Sequence, residues 1–196
     1  MTFAEYAELI DRLLAEGKTT GPKQSEAMFN YGKLNRQRMA RLEKTVEVSN
    51  EVKAAAGKIE RPQIWLVITE GWCGDAAQNI PVIEKIAAES DSIETRYILR
   101  DENLELMDEF LTGGARSIPK LIVLDAETLE EFGTWGPRPA DAQELFDEMR
   151  KRGLEKPLIM ENLQRWYNED KSRSMQAEFQ VLLSFWNEPV AKTVSA

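Results

Sequence analysis

The residue with the most distinctive chemistry is Cys73, the single cysteine of a chain that contains no histidine. A helical pattern begins near Asp75, and the free N–H groups and dipole at a helix N-terminus stabilise a thiolate and lower its pKa. Asp75 has the opposite effect, because a nearby carboxylate disfavours a second negative charge. The sequence therefore leaves open the direction in which the pKa of Cys73 is shifted.

The missing residue types exclude several classes of mechanism. Without histidine, neither Ser-His-Asp nor Cys-His hydrolysis is available, and neither is a histidine-bound metal. One cysteine cannot form an internal disulfide, and we expect no metal site and no cofactor. A single cysteine is typical of a reducing compartment, and the first residues lack the basic and apolar regions of a signal peptide. We therefore predict a cytoplasmic protein.

Charge and hydropathy narrow the range of partners. The formal net charge of −9 argues against nucleic acid or an anionic membrane surface as the main partner. No apolar run approaches the length needed to span a membrane. We expect neither a nucleic-acid nor a membrane partner.

The patterning divides the chain into three parts. Residues 1–60 are predicted to form a helical extension, with one helix ending at Gly17 and a longer one running to about Ala56. Residues 61–153 form the core, and residues 154–196 form a second helical extension that packs on it. The apolar pattern of that second extension fits one long helix or two, and the tail after Pro189 is expected to fray. The apolar stripes of both extensions are too long to remain exposed, so they pack on an edge or the rim of the core, on each other, or on a second subunit in a homodimer.

The core changes from helical periodicity to short apolar runs separated by helices. The predicted order is βαβαββα, in which the first two strands are parallel and the last two form a hairpin. The predicted strands are 64–68, 93–99, 121–124 and 129–135, and the predicted helices are 75–88, 104–111 and 141–152.

Several short segments of the core form an ordered set of recognisable motifs. The segment Trp72-Cys73-Gly74-Asp75-Ala76 resembles the thioredoxin signature W-C-G-P-C, and Arg116-Ser117-Ile118-Pro119 resembles the R-x-I-P segment that carries the family's cis-proline. Further matches are Pro81 in the active-site helix, the Asp101-Glu102-Asn103 segment and Gly136. The resemblance implies a thioredoxin-like α/β three-layer sandwich with a mixed sheet. The sequence is also similar to a bacterial group of monothiol thioredoxin-family proteins with W-C-G-D-A and extra terminal helices.

Three departures from the family pattern affect the second sulfur. Ala76 replaces the second cysteine, Val67 replaces the buried acid that serves it, and Tyr97 replaces a nearby lysine. Because the residues that serve the second cysteine are lost together with it, we interpret the chain as a monothiol protein that cannot run a dithiol–disulfide cycle alone.

The resemblance also implies a set of site residues around Cys73. The Ile118–Pro119 bond is expected to be cis and to face the sulfur, and Trp72 to cover one side of its pocket. Lys120 is a cation that opposes Asp75 if its ammonium group reaches the sulfur. The predicted site consists of Trp72, Cys73, Gly74, Asp75, Ile118, Pro119 and Lys120.

The residues leave two functions open. The first is thiol–disulfide exchange or thiol modification at Cys73, with the second sulfur supplied by a protein thiol or disulfide or by a low-molecular-weight thiol. The second is a non-catalytic module that binds a peptide or protein partner. A peroxiredoxin is excluded because Glu70 stands where it needs Thr or Ser. A single-cysteine glutaredoxin is excluded because Asp75 and Ala76 do not fit C-G-F-S, and a glutathione transferase because it lacks long N-terminal helices.

Overall fold

A computed structural model describes residues 1–187, which fold around a mixed four-stranded sheet. The strand order is β2-β1-β3-β4. The predicted parallel pair is confirmed, with Ile68 opposite Ile98, and the other two strand pairs are antiparallel. The strands are β1 Gln63–Thr69, β2 Ile93–Leu99, β3 Lys120–Asp125 and β4 Glu131–Trp135.

Helices surround this sheet, and the predicted βαβαββα order of the core is confirmed. Along residues 1–187, no helix is both long and apolar enough to cross a membrane. The tail after Pro189, expected to fray, lies outside the described residues. The helices are α1 Phe3–Ala15, α2 Glu26–Thr45, α3 Asn50–Ala56, α4 Gly74–Ala87, α5 Leu104–Glu109, α6 Ala140–Lys151, α7 Lys156–Asp170 and α8 Arg173–Trp186.

The second predicted N-terminal helix is interrupted, so the prediction that it runs to about Ala56 is wrong. Helix α2 ends at Thr45, and Val46 adopts extended backbone angles. A new helix, α3, then starts because the Ser49 side chain accepts the N–H of Val52 at 3.3 Å and caps it. The break turns the chain so that α3 packs on α8.

The C-terminal region forms two helices, which decides between the two alternatives for its pattern. Lys171 and Ser172 both adopt left-handed backbone angles, with φ of 53° and 62°. Consecutive left-handed residues end α7 and redirect the chain into α8.

Helix α8 lies against a face of the sheet, so the expectation that the terminal helices cover only an edge or the rim is wrong for this helix. The Trp186 ring lies 5.7 Å from the ring of Trp65 on β1, and Phe179 lies 5.3 Å from Trp135 on β4. Gly133 makes room for this contact, since a Cβ there would lie 2.7 Å from the indole nitrogen of Trp186. The apolar stripe of α8 is therefore buried within one chain and needs no second subunit.

Helix α4 packs on the sheet and is covered by α2. Ile80, Ile83 and Ile86 are fully buried. The Tyr97 hydroxyl donates to Glu84 at 2.5 Å and so ties β2 to α4. This packing fixes the first turn of α4, where Cys73 lies.

Candidate functional site

Cys73 is the N-cap residue of α4 and lies almost completely buried, with 9% of its surface exposed. Its Sγ accepts the backbone N–H of Ala76 at 3.5 Å, which is the contact expected of a cysteine at a helix N-terminus. The thiol also donates to the carbonyl oxygen of Ile118 at 3.2 Å. A thiol that donates a hydrogen bond carries its proton, so this geometry holds Cys73 in the protonated form.

The environment of Cys73 raises its pKa to about 12, which decides the direction that the sequence left open. Burial is the largest cause, because it removes the thiolate from water, and the negative charge of Asp75 is the second. Hydrogen bonds from the backbone of Ala76 and Asp75 and the charge of Arg138 act in the opposite direction but are weaker. The helix N-terminus therefore does not make Cys73 a thiolate at neutral pH.

The Ile118–Pro119 peptide bond is cis, and it presents the Ile118 carbonyl to the sulfur. Both residues are buried. Gly136 supports this segment from behind, since a Cβ at its position would lie 2.3 Å from the carbonyl oxygen of Pro119. Gly136 also has φ of +112°, which side-chain-bearing residues rarely adopt.

The cation beside Asp75 is Arg138, not Lys120. The Arg138 guanidinium donates to Oδ2 of Asp75 at 2.5 Å, and the Tyr167 hydroxyl donates to Oδ1 at 2.8 Å. Lys120 pairs with Ile68 at the start of β3, and within residues 1–187 it forms no ion pair with Asp75. Burial lowers the pKa of Lys120, and the negative charge of Glu131 opposes this effect only in part.

The Asp75 cluster joins three elements that lie far apart along the chain. Arg138 follows β4 and stacks over the Phe146 ring of α6, with its guanidinium carbon 4.3 Å from the ring centre. Tyr167 comes from α7 and also accepts the side-chain amide of Asn79 at 3.2 Å. The carboxylate next to Cys73 is thus held by one cation and one hydroxyl, both largely shielded from water.

Trp72 is half-buried and lies under the guanidinium of Arg100, 4.8 Å from the ring centre. The loop that carries Arg100 is anchored by Glu70, whose Oε1 accepts the N–H of Asp101 at 2.9 Å. Glu70 is fully buried and its Oε2 has no hydrogen-bond partner within the described residues. Burial raises the pKa of Glu70. This carboxyl group thus fixes the loop beside the exposed edge of Trp72.

Gly74 lies between the cysteine and α2. A side chain at Gly74 would approach the Arg38 guanidinium to 3.8 Å. Asn35, one turn earlier on α2, donates to the carbonyl of Gly71 at 3.2 Å and accepts from Arg38 at 3.0 Å. Helix α2, which was predicted to belong to an extension outside the core, therefore bonds to the backbone just before the cysteine motif and places Arg38 near Gly74.

The comparisons with known proteins agree with this architecture. The family described as thioredoxin matches residues 21–150, and the chain therefore belongs to the thioredoxin family. A protein of unknown function from Pseudomonas aeruginosa has a similar crystal structure, with a TM-score of 0.61, 16% identity, and 94% of this chain and 98% of the other covered. An HIV epitope scaffold has a TM-score of 0.55 and 18% identity, with the same coverage of both chains. No curated protein matches the sequence.

Sequence reasoning missed three residues of this site: Arg138, Tyr167 and Asn35. Arg138 and Tyr167 lie 63 and 92 residues from Asp75 along the chain, and no local pattern connects such distant positions. Glu70 was predicted only to exclude a peroxiredoxin, and not to be part of the site. Its location directly before the cysteine motif, at the end of an apolar strand, was the available signal that it would be buried.

The charge of Asp75 yields a direct test of the site's electrostatics. We expect Asp75→Asn to lower the pKa of Cys73, because it removes one cause of the raised value and leaves the Arg138 cation unneutralised. Alkylation by iodoacetamide at pH 9 should become about 2- to 10-fold faster. Asp91→Asn, at an exposed position, is the control and should not change the rate. An unchanged or slower rate for Asp75→Asn would show that Asp75 does not oppose the thiolate.

Proposed function

We propose that this thioredoxin-family protein is a non-catalytic module that binds an extended segment of a peptide or protein partner beside Trp72 and Ile118. The observation that carries the proposal is the state of Cys73, whose thiol donates to the Ile118 carbonyl and whose pKa is raised to about 12. Thiol–disulfide exchange needs the thiolate as nucleophile. A buried, protonated cysteine is a poor nucleophile, and its role in this proposal is to pack the site.

The backbone of Ile118 supports peptide binding. Among the described residues, its N–H donates to no acceptor. An extended chain that offers a carbonyl to this N–H would bind as an added strand does, through main-chain hydrogen bonds. The half-buried Trp72 ring supplies an apolar surface for a side chain of the partner.

Two arginines lie beside Trp72 and the segment that leads to Ile118. Arg100 covers Trp72, and its Nη1 lies 3.4 Å from the carbonyl oxygen of Arg116. Each of these arginines is paired with one neighbouring carboxylate, Asp101 or Asp108. Because each arginine is neutralised by a carboxylate, this arrangement favours a peptide of neutral character.

Monothiol exchange is the second candidate, and the 3.5 Å contact between the Ala76 N–H and Sγ favours it. In that reaction the Cys73 thiolate attacks a partner disulfide, forms a mixed disulfide and releases one partner sulfur as a thiolate. An external protein or low-molecular-weight thiolate then attacks the partner sulfur of the mixed disulfide. It forms a new disulfide with the partner and returns the Cys73 thiolate. The raised pKa of Cys73 slows the first step.

We also propose that the protein acts in the cytoplasm. A single cysteine fits the reducing cytoplasm, and a buried, protonated thiol needs no oxidising partner there. A homodimer stays a prediction, and the proposed groove is complete in one chain.

The two candidate functions are distinguished by selecting peptides from a displayed library that contains no cysteine. The affinity of a selected peptide is then measured by fluorescence anisotropy. We expect Cys73→Ser to bind within about 2-fold of the unchanged protein, because no peptide sulfur is present. Trp72→Ala should weaken binding at least about 10-fold. Trp166→Ala on α7 is the matched control.

Two results would contradict the binding module. One is failure to select any peptide that depends on Trp72. The other is rapid formation of a Cys73 adduct with hydroxyethyl disulfide at pH 7, detected by mass spectrometry and absent in Cys73→Ser. The second result would establish monothiol exchange instead.

A further inference from the structure

A cleft of about 880 Å³ opens between α2, α4 and the α7–α8 corner, on a side of α4 that does not include Cys73. Its volume lies in the range of small-molecule binding sites. Gln78 and Asn79 of α4 and Tyr167 of α7 line it and are themselves buried. The floor of the cleft is therefore polar, while its mouth is open to solvent at exposed residues such as Thr45 and Lys171.

Three cations line the cleft: Arg38, Arg41 and Lys171. None of them forms an ion pair with any carboxylate in the portion of the chain that the structure describes. Arg38 is half-buried, and burial together with the positive charge of Arg41 lowers its pKa. Arg38 and Arg41 are three residues apart and therefore lie on the same face of α2. Arg38 donates one hydrogen bond, to Asn35 at 3.0 Å, and keeps further N–H donors for a ligand.

The carboxylates that line the cleft do not neutralise these cations. Asp170 accepts the hydroxyl of Ser174 at 2.6 Å and its N–H at 3.1 Å, which commits this carboxylate to the first turn of α8. Glu47 is exposed and forms no ion pair within residues 1–187. The two arginines of α2 thus leave room and charge for an anion.

The walls of the cleft also include an apolar strip. The strip is formed by Leu42 of α2, Val46 just after α2, Val82 of α4 and Met175 of α8. Val82 and Met175 are almost completely buried, so the half-buried Leu42 and Val46 supply most of the apolar surface that a ligand can reach. A ligand that fills the cleft would therefore need an apolar body as well as a charged group.

We propose that this cleft binds a small organic oxyanion, with its carboxylate or phosphate group held by Arg38 and Arg41 and its apolar or aromatic body against Leu42 and Val46. Guanidinium groups pair with carboxylate and phosphate through two parallel hydrogen bonds, which suits a site with two adjacent arginines. The inference goes beyond the proposed function, because it uses neither Cys73 nor the groove beside Trp72.

Calorimetric titration of the full chain tests the proposal, with phenylbutyrate and phenyl phosphate as anionic probes. The neutral analogue phenylbutanamide is the control ligand. We expect saturable one-to-one binding of at least one anion, and binding of the amide at least about 10-fold weaker. The anion that binds more tightly identifies the charged group. Absence of saturable binding for both anions, or equal binding of the amide, would overturn the proposal.

Two variants place the binding in this cleft. Arg38→Gln combined with Arg41→Gln should weaken the anion at least about 10-fold. Arg12→Gln combined with Arg165→Gln removes the same charge at exposed positions away from the cleft and should leave affinity within about 2-fold. Thr45→Trp, from an exposed position on the cleft wall, should block the site while both arginines remain. Equal weakening by the control pair, or full affinity in Thr45→Trp, would refute the assignment.

Discussion

Replacing Trp186 with alanine is expected to lower the free energy of unfolding by about 3–5 kcal/mol, which is a large fraction of the stability of a typical domain. Trp186 is 2% exposed and lies between Trp65 of β1 and Phe179 of its own helix. Its loss opens a cavity between α8 and the sheet. Because Gly133 offers no side chain to fill that space, the surrounding residues can relax only partly.

Phe185 provides the matched control for this experiment. It is the adjacent aromatic residue on α8, but 61% of its surface is exposed. Phe185→Ala should lower the free energy of unfolding by less than about 1 kcal/mol. Urea denaturation followed by circular dichroism measures both variants. Equal effects of the two changes would mean that α8 does not pack on the sheet through Trp186.

The second large effect is expected at Gly136, beside the Pro119 segment. A Cβ at Gly136 would lie 2.3 Å from the Pro119 carbonyl oxygen, a distance that requires the backbone to move. We expect Gly136→Ala to lower the free energy of unfolding by about 2–4 kcal/mol, through this clash and the unfavourable φ of +112°. Displacement of Pro119 should also loosen the contact between Cys73 and Ile118, and so make the thiol more reactive.

Gly153→Ala is the control that distinguishes the cost of the steric clash at Gly136 from the cost of a positive φ. Gly153 has φ of +72°, but a Cβ there would have no atom within 4 Å. We expect this change to cost only about 1 kcal/mol, from the backbone angle alone. If Gly136→Ala were no more destabilising than Gly153→Ala, the close approach to Pro119 would not contribute to the loss of stability.

Much of the fold could be predicted because local pattern and motif order agreed. The apolar run in β1 and the motifs from Trp72 to Gly136 predicted both the sheet and the parallel crossover, which is confirmed. The break at Val46 was missed because the apolar stripe continues on both sides of it, and only the Ser49 cap marks the new start. The three-part division into residues 1–60, 61–153 and 154–196 stays a prediction.

The position of α8 could not be predicted from its stripe. An amphipathic stripe shows that a helix is buried but does not show against what. Trp186 packs against Trp65 and over Gly133, where the absence of a side chain leaves room for the indole ring. These residues lie far away in sequence, and neither is marked as a docking point for a helix.

For the site, too, local sequence predicts the position of Cys73 but not its pKa. The placement of Cys73 at the start of α4 follows from the cysteine motif and the helical pattern after it. The pKa of Cys73 depends on burial and on Asp75, and the state of Asp75 depends on Arg138 and Tyr167 from other elements. Local sequence supplied competing influences on the thiol, and only the tertiary structure shows which one is larger.

The pH dependence of Cys73 alkylation in the folded protein tests the central claim most directly. With a pKa of about 12, the rate with iodoacetamide should rise about 10-fold per pH unit from about pH 7 to 10 without reaching a plateau. At pH 7 it should be roughly 3000-fold slower than in the urea-unfolded chain, whose cysteine has a pKa of about 8.5. A plateau below pH 8, or a rate at pH 7 within about 10-fold of the unfolded chain, would show that Cys73 is a reactive thiolate and would contradict the non-catalytic account.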